Sequence, residues 1–441
     1  MDLDSIISPS PYFQDLWLYC SFSILFLISF LILKKKLGIN VAIFVSFIKT
    51  IIPLIYFSIY VDNTWHNNGD DQMYMSAGIL MYDVLSNLFN LNISYLDFNF
   101  PYDQSYYFVK ELKEQSIDLD FLERFYLTID YFSNNSFFFK SIHWVAFFSF
   151  IFFGFNWYAI IILNIILNII SSIYIYKFSR KFNYSKYYAK FLMIFFLLNL
   201  EILSWTSFMS LKESLALLVN IVIFYYFYKV FKKFSIKDLS VLLILILFTY
   251  TIRTYLTGFY LMYFIFIYSL LYYNFKFILK NYNYILFLSI PILIVIYQFT
   301  PGYTIYADYF FGYYFVFHIP FYEIITLHYD LIDFVKSFFS FWLGPKPWSV
   351  DLNNNFLFIS AIVHYLLVIP ALVGSYHISK TNNYFVVMII FLIIMSLIYS
   401  YVGFENRHRF QFSFIYIWAQ SHFIYYIVIK NFYLRKILFQ N

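Results

Sequence analysis

A run of small and acidic residues, Gly69-Asp70-Asp71-Gln72-Met73-Tyr74, follows a long apolar segment and sets two carboxylates side by side. On a helix, Asp70 and Tyr74 lie one turn apart on one face, while Asp71 points about 100° away. A carboxylate held near a membrane surface can take the proton of an attacking hydroxyl and so act as a general base. Ser76, Ala77 and Gly78 follow, and their small size lets this turn lie close to another helix. Cations recur farther along the chain: Lys212 beside Glu213, Arg253 between two apolar runs, and Arg407 and Arg409 flanking His408 just after Glu405. Arginine's planar fork donates two hydrogen bonds to a phosphate, and pre-placed cations stabilise the charge that builds on a phosphate leaving group. Arg407 and Arg409 share a face where the turn is extended; on a helix they diverge by about 200°.

Other chemistries lack their residues. His143, His318, His328, His364, His408 and His422 show no metal-ligand spacing, and no Gly-rich phosphate loop is present. The single cysteine, Cys20, lies inside an apolar run, which leaves neither a disulfide framework nor a cysteine metal site. No cofactor is expected, and a divalent ion beside Asp70 or Asp71 has no ligand set of its own.

The elements that must position these residues follow from composition. Of 441 residues, 62% are hydrophobic, 26% aromatic and 12% charged, against about 25% charged in an ordinary soluble domain. A soluble chain of this size could not hide so much apolar surface, and a disordered one would be polar. The expectation is an all-α polytopic membrane protein. Apolar runs of about 20 residues, the length that crosses the hydrocarbon, number about eleven: 17–33, 41–61, 156–176, 187–207, 213–230, 238–256, 258–275, 283–299, 356–375, 384–402 and 410–429.

Positive charge marks the cytoplasmic ends of such runs. Lys34–Lys36, then Lys177, Arg180 and Lys181, then Lys229, Lys232, Lys233 and Lys237, then Lys276 and Lys280, then His377 and Lys380, and finally Lys430, Arg435 and Lys436 all fall on one side when the N-terminus is outside. The first run is not a signal peptide, because Asp2, Asp4 and Asp15 precede it where positive charge is required. The stretch 137–153 is too short for a crossing that keeps this order, and reads as an interfacial or re-entrant helix. With no repeat and no linker, the chain reads as one membrane domain, 1–441.

Opposite the basic clusters stand an acidic outer loop, 62–136, a Pro-, Trp- and Tyr-rich outer loop, 300–355, and the turn of Glu405 to Arg409. One or more interfacial helices are expected within the first of these. The second reads equally as a sugar platform or as an aromatic belt at the interface. Acids in an outer loop are most often a solvated surface. The cations Lys212, Arg253, Arg407 and Arg409 run against the Lys/Arg bias that depletes outer turns. Lys49 lies inside the second run and is explained by snorkelling to the inner end. Glu201 pairs with Lys212 or sits at an early helix end.

On these residues the sequence resembles a family. Asp70, Asp71 and Tyr74 resemble the catalytic-aspartate loop of GT-C glycosyltransferases, polytopic enzymes that use sugars carried on polyprenyl phosphate. The stretch Trp205 to Ser214, containing Lys212 and Glu213, and the segment Glu405-Asn406-Arg407-His408-Arg409 are similar to further segments of bacterial members, in family order. An additional span precedes the Asp loop here, and His408 stands where a tyrosine is usual. The resemblance implies an inverting glycosyltransferase in the bacterial cytoplasmic membrane, acting on its outer face in cell-surface polysaccharide or glycolipid assembly. It implies Asp70 as general base and Asp71 as assisting acid, with Tyr74, Lys212, Glu213, Arg253, Glu405, Arg407, His408 and Arg409 binding substrate. Its partners would be a polyprenyl-phosphate-linked sugar donor, a glycan or lipid-linked acceptor and membrane lipids, without nucleic acid.

Two other functions compete. A Wzy-type polymerase, joining glycan repeats from polyprenyl diphosphate, also uses outer-loop arginines but not the Asp loop. A transporter of lipid-linked glycans would place ionisable groups at the bilayer midplane, whereas the charges here gather at one surface.

Overall fold

In a computed structural model, the described residues are 11–60, 140–153, 157–208, 212–272, 331–344, 346–349, 357–402 and 409–429, with Gly78, Met81 and Glu123, and they form helices and no strand. The acidic loop apart from those three residues, the run 283–299 and most of the loop 300–355 lie outside the described residues.

The elements are α1 Pro11–Leu37, α2 Ile39–Tyr60, α3 Ser141–Phe153, α4 Trp157–Lys181, α5 Lys186–Leu198, α6 Leu200–Ser207, α7 Glu213–Lys232, α8 Ile236–Ile252, α9 Thr254–Tyr272, α10 Leu331–Leu343, α11 Phe358–Thr381, α12 Asn383–Val402 and α13 Ser413–His422, with a π-helical turn Phe423–Ile429 after α13. Among the described residues, Leu18–Leu37, Tyr158–Lys181, Glu213–Lys232 and Phe358–Thr381 are each long and apolar enough to cross a membrane, and α5 with α6 forms a fifth if taken as one broken span. Their outward faces are apolar. On α11, Leu366 is 71% and Ile369 69% exposed, while Ser360, His364 and Gly374 are buried. A helix with polar residues inside and leucines outside is stable against lipid and not against water. The chain is an all-α polytopic membrane protein.

Two compact units divide the chain: Met1–Ile173, Leu197–Leu218 and Asp351–Phe356 form the first, and Tyr174–Phe196, Val219–Val350 and Leu357–Asn441 the second.

In the first unit α1 and α2 form a hairpin closed at Gly38, whose φ of 90° lies in the left-handed region that favours glycine. Gly38 N–H donates to the Lys34 carbonyl, a C-terminal cap, and Lys34, Lys35 and Lys36 stand in that last turn where the helix dipole favours cations. The stretch read as interfacial or re-entrant holds α3. About 20 Å long at 1.5 Å per residue, α3 is too short to cross about 30 Å of hydrocarbon. It buries Ile142, Val145, Ala146, Ser149, Phe150 and Phe153 and exposes Phe148, Ile151 and Phe152. Just before it, burial pulls the Lys140 ammonium below the ordinary lysine range.

In the second unit α11 and α13 pack most closely. Gly374 makes this possible, since a Cβ there would overlap the Ala419 carbonyl. Gly374→Ala is expected to cost about 1–3 kcal/mol, as overpacking does, read as a lower unfolding midpoint in detergent. An unchanged midpoint would show that the two helices can separate without loss.

Some boundaries differ from the sequence reading. The run 238–256 is interrupted at Arg253, where an extended backbone (φ −151°, ψ 105°) ends α8 and α9 begins at once. The run 187–207 breaks at Asn199, whose side chain caps α6 by accepting from Glu201 N–H at 3.0 Å. At Asn199 the side chain satisfies the freed backbone, and at Arg253 the backbone N–H still reaches the Thr249 carbonyl at 2.8 Å; an apolar-run count registers neither break.

Candidate functional site

Of the residues expected at the site, Asp70, Asp71, Tyr74, Glu405, Arg407 and His408 lie outside the described residues, and Lys212, Glu213, Arg253 and Arg409 lie within them.

Two features of the first unit bear on the site. Gly78, a few residues beyond the Asp70–Tyr74 stretch, packs against α3, where a Cβ would come 2.5 Å from the Ala146 Cβ and 2.9 Å from the Phe150 ring. Gly78 thus serves a close helix approach, and its neighbour is the short apolar helix α3. Lys212 accepts the first hydrogen bond of α7, from Ala216 N–H at 3.0 Å, and Glu213 opens that helix fully buried. A carboxylate there meets the positive end of the helix dipole.

The second unit has two chemically distinct ends. At one end the basic helix termini converge: Tyr228 of α7 donates to the Lys181 carbonyl at 3.0 Å, and the Tyr228 and Tyr384 rings lie 5.0 Å apart, just past Lys380. Lys229 pairs with Asp238 at the start of α8. Tyr184, in the link between α4 and α5, belongs to the same end, and burial raises its phenol well above the ordinary tyrosine value.

Arg253, His364 and Arg409 gather at the opposite end. Arg253 stands at the far end of α8 from Ile236, about 25 Å away along the helix. It is buried, at the negative end of the α8 dipole that favours a cation. Thr249 and Thr257 hydroxyls, 2.9 Å apart, staple α8 to α9 around it. His364 lies about 24 Å along α11 from Lys380. Arg409, 1% exposed, donates through Nη1 to the carbonyls of Phe341 and Trp342, both at 2.9 Å, and that nitrogen lies 3.1 Å from His364 Nε2. Its guanidinium stands 5.6 Å from the centre of the Tyr416 ring, within cation–π range.

A polar chain links the two arginines' surroundings. Asn220 Nδ2 donates to the Gln411 carbonyl at 3.1 Å, and Tyr260 Oη donates to Asn220 Oδ1 at 2.8 Å. Gln411 follows Arg409 closely, and Tyr260 lies two turns along α9 from Arg253, so both guanidiniums belong to one end of the unit. Sequence reading named the arginines but missed His364 beside Arg409 and the link that Asn220 makes between Tyr260 and the Gln411 carbonyl. The available signal was a polar side chain inside an apolar run.

Lys49 departs from its expectation. It is fully buried, and Nζ donates to Asn168 Oδ1 of α4 at 2.8 Å rather than reaching toward a helix end.

The chain matches no protein-family model, no curated protein and no solved structure.

Proposed function

We propose that this protein is an inverting glycosyltransferase of GT-C type. It transfers a sugar from a polyprenyl-phosphate carrier to a glycan or lipid-linked acceptor on the outer face of a bacterial cytoplasmic membrane. In this reading the chain crosses about eleven times, with its N-terminus outside and its C-terminus cytoplasmic, by the Lys/Arg bias. Asp70 takes the acceptor proton as the new glycosidic bond forms at the anomeric carbon, and Asp71 assists. The sugar–phosphate bond breaks, and the lipid phosphate leaves with its electron pair, its charge met by Lys212, Arg253 and Arg407. Tyr74, Glu213, Glu405 and His408 line the bound substrates. Arg409 belongs to the same end, with one nitrogen committed to backbone carbonyls.

The observation that supports this reading is the segregation of cations in the second unit. Arg253 and Arg409 are each buried, toward the end away from the lysine-bearing helix termini. Snorkelling anchors would be exposed, and the Lys/Arg bias would deplete that end. Buried guanidiniums kept there in spite of both suit a phosphate ligand. The test is purified protein in nanodiscs with radiolabelled polyprenyl-phosphate sugars and a lipid-linked acceptor. Label should pass to the acceptor with inverted anomeric configuration. Translocation of the lipid with no glycosidic bond formed would refute the reading.

A further inference from the structure

The middle of the first unit carries a group that sugar transfer does not use. Lys49 lies about 15 Å from Ile39 along α2, and Asn168 is likewise near the middle of α4, so the pair sits at mid-span. Both side chains are fully buried. An ammonium offers three N–H donors, yet its acceptor among the described residues is one neutral amide oxygen, Asn168 Oδ1 at 2.8 Å. The surrounding polar groups are also short of acceptors. Ser46 Oγ, Thr50 Oγ1 and Asn168 Nδ2 are buried and find no hydrogen-bond partner among the described residues. Several buried hydroxyls of the unit close onto their own helix, as Ser149 does on the Val145 carbonyl at 2.6 Å and Ser171 on the Leu167 carbonyl at 2.9 Å, whereas Ser29 Oγ on α1, like Ser46 and Thr50, finds no such bond among the described residues. Ser46, Lys49 and Thr50 fall within about 100° of one another around α2. One face of the helix thus presents a positive charge and two hydroxyls, with a carboxamide opposite.

Uncompensated positive charge at that depth costs several kcal/mol, and mid-membrane ionisable groups mark ion or substrate paths. A surplus of donors around a cation is what an oxygen-rich anion requires. We propose that Lys49, with Ser46, Thr50 and Asn168, binds a phosphate group at mid-span, a site separate from the sugar-transfer residues and independent of that reading.

The test counts bound phosphate by native mass spectrometry on the full chain released from phosphatidylcholine nanodiscs. Farnesyl monophosphate serves as the lipid-borne probe, inorganic phosphate as the free one, and farnesol as the uncharged control. The wild type should hold one more phosphate probe than Lys49→Met, and Lys49→Arg should retain it. Thr50→Val, isosteric and uncharged, should weaken that site by roughly tenfold or more, the loss of one hydrogen bond to a charged group, and it serves if Lys49→Met does not fold. Uptake of farnesyl phosphate alone identifies a lipid headgroup, whereas uptake of inorganic phosphate as well identifies a site open to free anion. The same count in wild type, Lys49→Met and Thr50→Val, or no phosphate probe bound by the wild type, overturns the proposal.

Discussion

Asp70→Asn should lower sugar transfer by about a hundred- to ten-thousand-fold, the usual contribution of a general base, while unfolding midpoint and membrane insertion stay those of the wild type. Asparagine keeps the size and the hydrogen-bonding reach of aspartate and removes only the basic oxygen. The loss should therefore fall on turnover, with KM for the lipid-linked donor little changed. Asp71→Asn, about 100° away on a helix, should cost less. The same pair of variants separates the polymerase reading, which does not need the Asp loop. Full transfer by Asp70→Asn would remove Asp70 from the mechanism and favour a polymerase acting through the arginines.

The second large effect is on stability. Arg409→Gln is expected to cost about 3–5 kcal/mol, as breaking a buried charged network does. The cause is specific. Phe341 and Trp342 lie in the last turn of α10, whose carbonyls have no partner within the helix, and Arg409 Nη1 donates to both. Without it the buried Phe341 carbonyl loses this donor, at about 1–3 kcal/mol, the Trp342 carbonyl keeps only His364 Nε2 at 2.8 Å, and the contact with Tyr416 goes as well. Arg409→Lys retains the charge but not the fork, and should recover part of the loss. Thermal unfolding in detergent, read beside transfer activity, checks this. A wild-type midpoint with impaired donor binding would instead make Arg409 a phosphate ligand and nothing more. The consequence for mutagenesis is practical: activity lost at Arg409 reports on the fold first, so Arg253 and Arg407 are the cleaner probes of the donor phosphate.

What the sequence determined by itself was the solvent. With 62% hydrophobic residues and long apolar runs, no arrangement other than helices in lipid satisfies both the side chains and the backbone. Apolar length alone also located most of the helices, because crossing a bilayer is a requirement on each run taken singly. It picked out Arg253 and Arg409 as cations set between apolar runs, and the small residues after Tyr74 as a point of close approach, where Gly78 does pack on α3. Those are statements about one segment at a time. What the tertiary structure decided are statements about pairs distant in sequence. The Lys49–Asn168 bond and the Asn220 link to Gln411 each join residues more than a hundred positions apart, and Arg409 reaches the α10 carbonyls of Phe341 and Trp342, 68 and 67 positions earlier. The physical reason lies in the membrane itself. A lone lysine in an apolar run can snorkel to the surface or turn inward to a polar partner, and both leave the same one-dimensional pattern. Only the neighbouring helix chooses, by offering or withholding an oxygen at that depth.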